Sequence, residues 1–84
     1  NAAAVWAGEA EIVSVEGRQV TGEFKAGAEL ALQECRRHAI YTAYLKERSP
    51  SCGVANTHVR NELTAGPGVT AFWLAKHGIK TLGR

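Results

Sequence analysis

Apolar residues recur at helical spacing between positions 24 and 35. Phe24, Ala28, Ala31 and Cys35 fall on one stripe, and Leu30 and Leu32 widen it. Thr21 precedes the run as an N-cap, and Glu23 sets a negative charge at the positive helix end. Arg36, Arg37 and His38 bring cations to the negative end. Ala39 stands where a left-handed glycine is usual after a helix, and Ile40 can make the apolar contact beyond it. Residues 41–45 read as a short buried strand. A second helix begins at Val69 and carries Ala71, Phe72, Trp73, Leu74, Ala75 and Lys76. His77-Gly78 ends it, and residues 79–82 form a last strand. Arg37-His38-Ala39-Ile40-Tyr41-Thr42 echoes Lys76-His77-Gly78-Ile79-Lys80-Thr81. The shared pattern is a cation, a left-handed cap, an apolar anchor and entry to a strand, so it reads as a common helix exit and not a repeat. His38 and His77 are then capping residues.

The remaining segments are less periodic. Residues 1–8 predict an extended or frayed, flexible arm containing Trp6, and residues 9–84 a single small domain. Residues 9–20 predict two short strands around Glu16-Gly17, where glycine allows a positive φ. Residues 46–53 form a polar loop at the carboxyl end of the first main strand. A small hairpin is expected around Arg60-Asn61, and Gly66-Pro67-Gly68 breaks the chain before the second helix. Helices alternating with short strands favour a parallel α/β layer. The expected fold is a small α/β domain of two or three layers, with short parallel strands, two main helices and a β-hairpin. Too few strands are present for a full sheet, so it reads as an incomplete Rossmann-like unit.

Composition narrows the function. The chain has 84 residues, enough for one thin core. Its net charge is +2, and its mildly basic second half suits a small anionic ligand. The cations are too dispersed for a nucleic-acid stripe, so no nucleic-acid partner is expected. No apolar run reaches the roughly 18–20 residues of a membrane span, so no membrane partner is expected either. Two cysteines make no secreted disulfide framework, which favours a reducing, cytoplasmic setting. Met is absent and the chain opens on Asn1, which suggests a segment of something longer.

Candidate chemistry gathers in Ser49-Pro50-Ser51-Cys52-Gly53. Open α/β sheets place ligands beyond the carboxyl ends of their strands, where this loop lies. Pro50 stiffens it and Gly53 permits close backbone approach. Lys46 and Arg48 would favour the thiolate of Cys52. Cys35, by contrast, reads as a small buried hydrophobe. Gly66-Pro67-Gly68 before a helix could cradle an anion, although such glycines commonly only shape a turn. Trp6, Phe72 and Trp73 read as core or interface. A metal site built from this chain alone is poorly supported, because zinc or an iron–sulfur cluster needs several ligands.

Leu45-Lys46-Glu47-Arg48-Ser49-Pro50-Ser51-Cys52-Gly53 resembles the signature of the bacterial thiouracil desulfurase family. Gln19-Val20-Thr21-Gly22-Glu23-Phe24, continuing into Gly27-Ala28-Glu29, is similar to that family's entry into a helix. Gly66-Pro67-Gly68-Val69-Thr70-Ala71 and Lys76-His77-Gly78-Ile79 are similar to its last helix and strand. The resemblance covers about residues 9–82 and implies the C-terminal half of a domain nearly twice as long. It implies a [4Fe–4S] cluster held by three cysteines and a small thiolated pyrimidine as substrate. Carried over by position, Cys52 is the metal ligand and Ser49 a catalytic residue, with Ser51 and Gly53 in the substrate loop. The other ligands have no counterpart here, so the chain alone is expected to be inactive and to hold possibly no cluster. A second reading is a stand-alone module without a cluster, homo-oligomeric because its open sheet edge needs covering. A thiol enzyme using Cys52 is a third, and it lacks a clear base.

Overall fold

The structure, a computed structural model, describes residues 1–14, 16–46, 56–59, 62–65 and 68–84. Among these residues seven elements follow in order: α1 (Ala2–Trp6), α2 (Thr21–Arg37), β1 (Thr42–Leu45), β2 (Asn56–Val59), β3 (Glu62–Ala65), α3 (Val69–Lys76) and β4 (Lys80–Gly83). β1 and β4 pair in parallel, with Thr42 opposite Lys80 and Leu45 opposite Gly83. β2 and β3 form a separate antiparallel pair in which Val59 meets Glu62. The mixed α/β class, the parallel pair and the small hairpin agree with the sequence pattern.

α2 packs against α3, and both cover one face of the parallel pair. Leu32 and Cys35 of α2 meet Leu74 of α3 and Ile79, with Ala43 and Leu45 of β1 against them. Leu32 and Leu74 are the largest fully buried side chains among the described residues. The stripe predicted for α2 is narrower than expected, since Leu30 is 62% exposed. β1 is also less buried than its apolar sequence suggests. Only Ala43 and Leu45 turn inward, while Tyr44 is 64% exposed.

The helix exits are near-identical in geometry. After α2, Ala39 N–H donates to the Arg36 carbonyl at 3.3 Å and Ile40 N–H to the Cys35 carbonyl at 2.7 Å. After α3, Gly78 N–H donates to the Ala75 carbonyl at 3.1 Å and Ile79 N–H to the Leu74 carbonyl at 2.9 Å. Both are Schellman motifs, which satisfy the last helix carbonyls and turn the chain into a strand. His38 and His77 are the two C-cap residues, as expected.

Two expectations are corrected. Residues 1–8 do not form an extended arm: Ala2–Trp6 is helical, and Ala2 and Val5 are buried. Asn1 caps this helix, its Oδ1 accepting from Ala4 N–H at 2.9 Å. Trp6 stacks on Trp73 with ring centroids 3.7 Å apart and donates its indole N–H to the Val69 carbonyl at 3.0 Å. Burial of two indole faces outweighs the cost of ordering so short a helix. Thr21, predicted as N-cap, instead lies inside α2, after the cap residue Val20. Its Oγ1 accepts from Ile12 N–H at 2.8 Å and ties the preceding turn to the helix. That turn keeps Gly17 at φ +89°, but the two expected strands reduce to one antiparallel bridge between Val13 and Gln19.

Candidate functional site

The two Schellman turns fix the polarity of the layer. Each helix runs back along the strand that follows it, so the amino ends of α2 and α3 lie at the end where β1 and β4 finish. Helix amino ends carry partial positive charge, and the carboxyl edge of a parallel sheet is where open α/β folds bind ligands. The polar loop leaves from this edge, with Lys46 its last described residue. Ser49, Ser51, Cys52 and Gly53 lie outside the described residues, as do Arg48, Pro50, Gly66 and Pro67.

The first turn of α3 is also at this end. Gly68 is its N-cap, with an extended backbone (φ −73°, ψ 174°) and no side-chain cap hydrogen bond. Val69, Thr70 and Ala71 behind it are buried. Trp6 holds Val69 through the indole hydrogen bond, so α1 helps to position α3. Lys25 Nζ stands 5.6 Å from the Trp6 ring and Lys76 Nζ 6.0 Å from the Trp73 ring, which adds cation–π contacts at the two ends of the stack. The prediction that Trp6 and Trp73 are packing residues therefore holds.

The other cysteine is placed differently. Cys35 is buried with Leu32, Leu74 and Ile79, near the amino edge of the sheet. An open cavity of about 380 Å³ there is lined in part by Cys35, Arg36, Tyr41 and His77. Arg36 Nη2 lies 3.3 Å from His77 Nδ1 across its mouth. Cys35 thus belongs to the core and stands one strand length, about 13 Å, from the edge where the Cys52 loop departs. Among the described residues, no group of three or more His, Cys, Asp or Glu is placed to hold a metal ion.

A sequence model of the 2-thiouracil desulfurase family matches residues 1–83. The chain belongs to the 2-thiouracil desulfurase family. The match includes α1, which the sequence motifs alone did not reach. A solved structure, the [4Fe-4S]-dependent thiouracil desulfidase TudS, is similar at 41% identity with a TM-score of 0.81. The similarity covers 86% of this chain and 50% of TudS, so the chain spans about half the length of that desulfidase. No curated protein matches.

A four-iron cluster calls for three or four thiolate donors. The chain has two cysteines, and Cys35 is committed to the core. One remaining thiolate does not fit a cluster that needs three or four. The residues of this desulfurase-family chain therefore do not by themselves make a cluster site.

What the sequence missed is α1. Its signal was present in Asn1 followed by three alanines, a capping residue before good helix formers. Five residues are too few for a helix to be predicted without knowledge of the Trp73 face that receives it.

Proposed function

We propose that this chain is the C-terminal half of a thiouracil-desulfurase domain, working on a small thiolated pyrimidine as part of a complete domain. The observation that carries this reading is the TudS similarity: a TM-score of 0.81 at 41% identity over 86% of this chain. In this reading Cys52 is the chain's one contribution to the cluster ligands. Ser49 would be the catalytic residue, orienting the pyrimidine or holding a proton at its hydroxyl. Ser51 and Gly53 shape the loop, glycine allowing the substrate to approach the backbone. The positive amino ends of α2 and α3 would favour an anionic form of the substrate at the same edge.

Self-association alone does not complete the site. A symmetric dimer adds only a second Cys52, which makes two free thiolates. A cytoplasmic setting is consistent with free thiols, and no helix among the described residues is long and apolar enough to cross a membrane.

The test is anaerobic reconstitution with iron and sulfide, first of the chain alone and then of a complete domain containing it. The chain alone is expected to take up no stoichiometric cluster. In the complete domain Cys52→Ser should remove the cluster, read as loss of bound iron and of its visible absorbance. Ser49→Ala should keep the iron and lower turnover by about 10²–10⁴-fold. A full cluster in the Cys52→Ser domain would overturn the assignment.

A further inference from the structure

The amino edge of the parallel sheet, just ahead of β1 and β4, holds the cavity of about 380 Å³, a volume within the range of small-ligand pockets. The two helix exits build it. Cys35 and Ile79, both buried, give it an apolar floor. Ile40 and Tyr41 leave the first exit and supply a wall, with Tyr41 72% exposed.

Two basic side chains meet at this cavity. Arg36 Nη2 stands 3.3 Å from His77 Nδ1. A guanidinium can only donate, so Nδ1 accepts and the imidazole is neutral, with its proton on Nε2. The His77 ring is held in place by the edge of Trp73, the centroids 4.4 Å apart. Arg36 therefore rests on a neutral acceptor, and among the described residues it has no ion pair with a carboxylate. Glu34, in the same turn of α2, is taken by Arg37 at 3.6 Å and His38 at 3.2 Å. The helix ends do not need Arg36 either. The Schellman turns engage their last carbonyls, and Arg37, His38 and Lys76 bring cations to them. A guanidinium and an imidazole converging over an apolar floor form the donor side of an anion site.

Charge and shape select the class of anion. Arg36 is one fixed charge, and His77 becomes a second charged donor only on protonation. A planar carboxylate matches the guanidinium fork and carries a single charge, whereas a phosphate dianion exceeds what the cavity offers. The apolar floor and the Tyr41 ring suit a flat aromatic body.

We propose that this cavity binds a small aromatic carboxylate, with the carboxylate on Arg36 and His77 and the ring between Tyr41 and the floor of Cys35 and Ile79. The site lies about one strand length from the edge where the Cys52 loop departs and is independent of the desulfurase reading. On binding, the Arg36–His77 hydrogen bond opens, and His77 takes up a proton so that Nδ1–H donates to the carboxylate. The ionisable groups around His77 are Cys35 and Arg36 of α2, Tyr41 before β1, and Lys76 on its own helix. Arg36 and Lys76 oppose protonation of His77 in the empty cavity, and a bound carboxylate favours it. Affinity therefore rises as pH falls through the ordinary histidine range near about 6.5, while the ligand stays ionised above about pH 5.

The experiment titrates the full chain with benzoate and follows amide and side-chain NMR shifts. Acetate supplies the charge without the ring, and benzyl alcohol the ring without the charge. At pH 6 benzoate should bind with a Kd of about 1 mM or tighter, with shifts centred on residues 36–41 and 77–79. Acetate and benzyl alcohol should each bind at least about tenfold more weakly. Benzoate affinity should fall at least about threefold from pH 6 to pH 8. Arg36→Gln should weaken binding by about tenfold or more, and His77→Gln should remove the pH dependence. Arg18→Gln, an exposed cation ahead of the other end of α2, should change nothing. Circular dichroism identifies a variant that fails to fold, in which case the other decides.

No saturable shift up to about 10 mM benzoate would overturn the proposal. So would shifts centred elsewhere, benzyl alcohol binding as tightly as benzoate, or benzoate binding indifferent to both Arg36→Gln and His77→Gln.

Discussion

At Ala39 the backbone takes φ +52°, the one positive φ outside glycine among the described residues. The Schellman turn demands this conformation, and a Cβ makes it costly. Ala39→Gly should therefore stabilise the chain by about 0.5–1 kcal/mol, the relief of strain exceeding the added freedom of the unfolded chain. The matching position after α3 already holds glycine, Gly78 at φ +86°. A Cβ at Gly78 would meet nothing within 4 Å, so Gly78→Ala tests backbone strain without a steric clash. It should cost about 1 kcal/mol. Urea denaturation of the two variants measures both signs, and a stabilising Gly78→Ala would show that the turns are not equivalent. The exposed ion pairs matter less. Arg18 to Glu23 and Arg37 to Glu34 are each 3.6 Å apart with both side chains mostly in water, where such pairs contribute little.

At the scale of elements, α2 shows how far periodicity carries. Its length, acidic first turn, basic last turn and buried Ala28, Leu32 and Cys35 were all readable from spacing and charge. Which of two neighbouring leucines faces the core was not, because the stripe was wide enough to include both. Leu32→Ala should destabilise by about 2–5 kcal/mol, and Leu30→Ala by about 0.5 kcal/mol or less. Equal losses for the two would contradict the packing of α2 on α3. α1 shows the opposite case. Its five residues have no stability of their own, and its place is fixed by the Trp6–Trp73 stack. Trp6→Ala should lower stability by about 3 kcal/mol and release α1, which a proteolysis time course would detect as early cleavage within residues 1–8.

At the scale of the whole molecule, the chain spans about half the length of TudS and carries two cysteines, one of them in the core, fewer free thiols than a four-iron cluster needs. Among the described residues the parallel sheet has two strands, with α2 and α3 on one face and Tyr44 64% exposed on the other.

The sequence by itself determined the local grammar of this protein. Helical spacing, helix-end charge and the paired Arg37-His38-Ala39-Ile40 and Lys76-His77-Gly78-Ile79 exits act within one or two turns, so short stretches specify them. The hairpin around residues 60–61 was legible for the same reason. The loop carrying Ser49, Ser51, Cys52 and Gly53 was recognisable as a motif that follows the strand ending at Leu45, but its residues lie outside the described ones. Only the tertiary structure decided that Thr21 holds Ile12 instead of capping its helix, that Trp6 folds back over Trp73, and that Tyr44 faces away from the core. Each of these depends on partners 9 to 67 positions away in the chain or on the side from which a sheet is covered. No local pattern encodes contacts of that reach, because they exist only once the layers have packed.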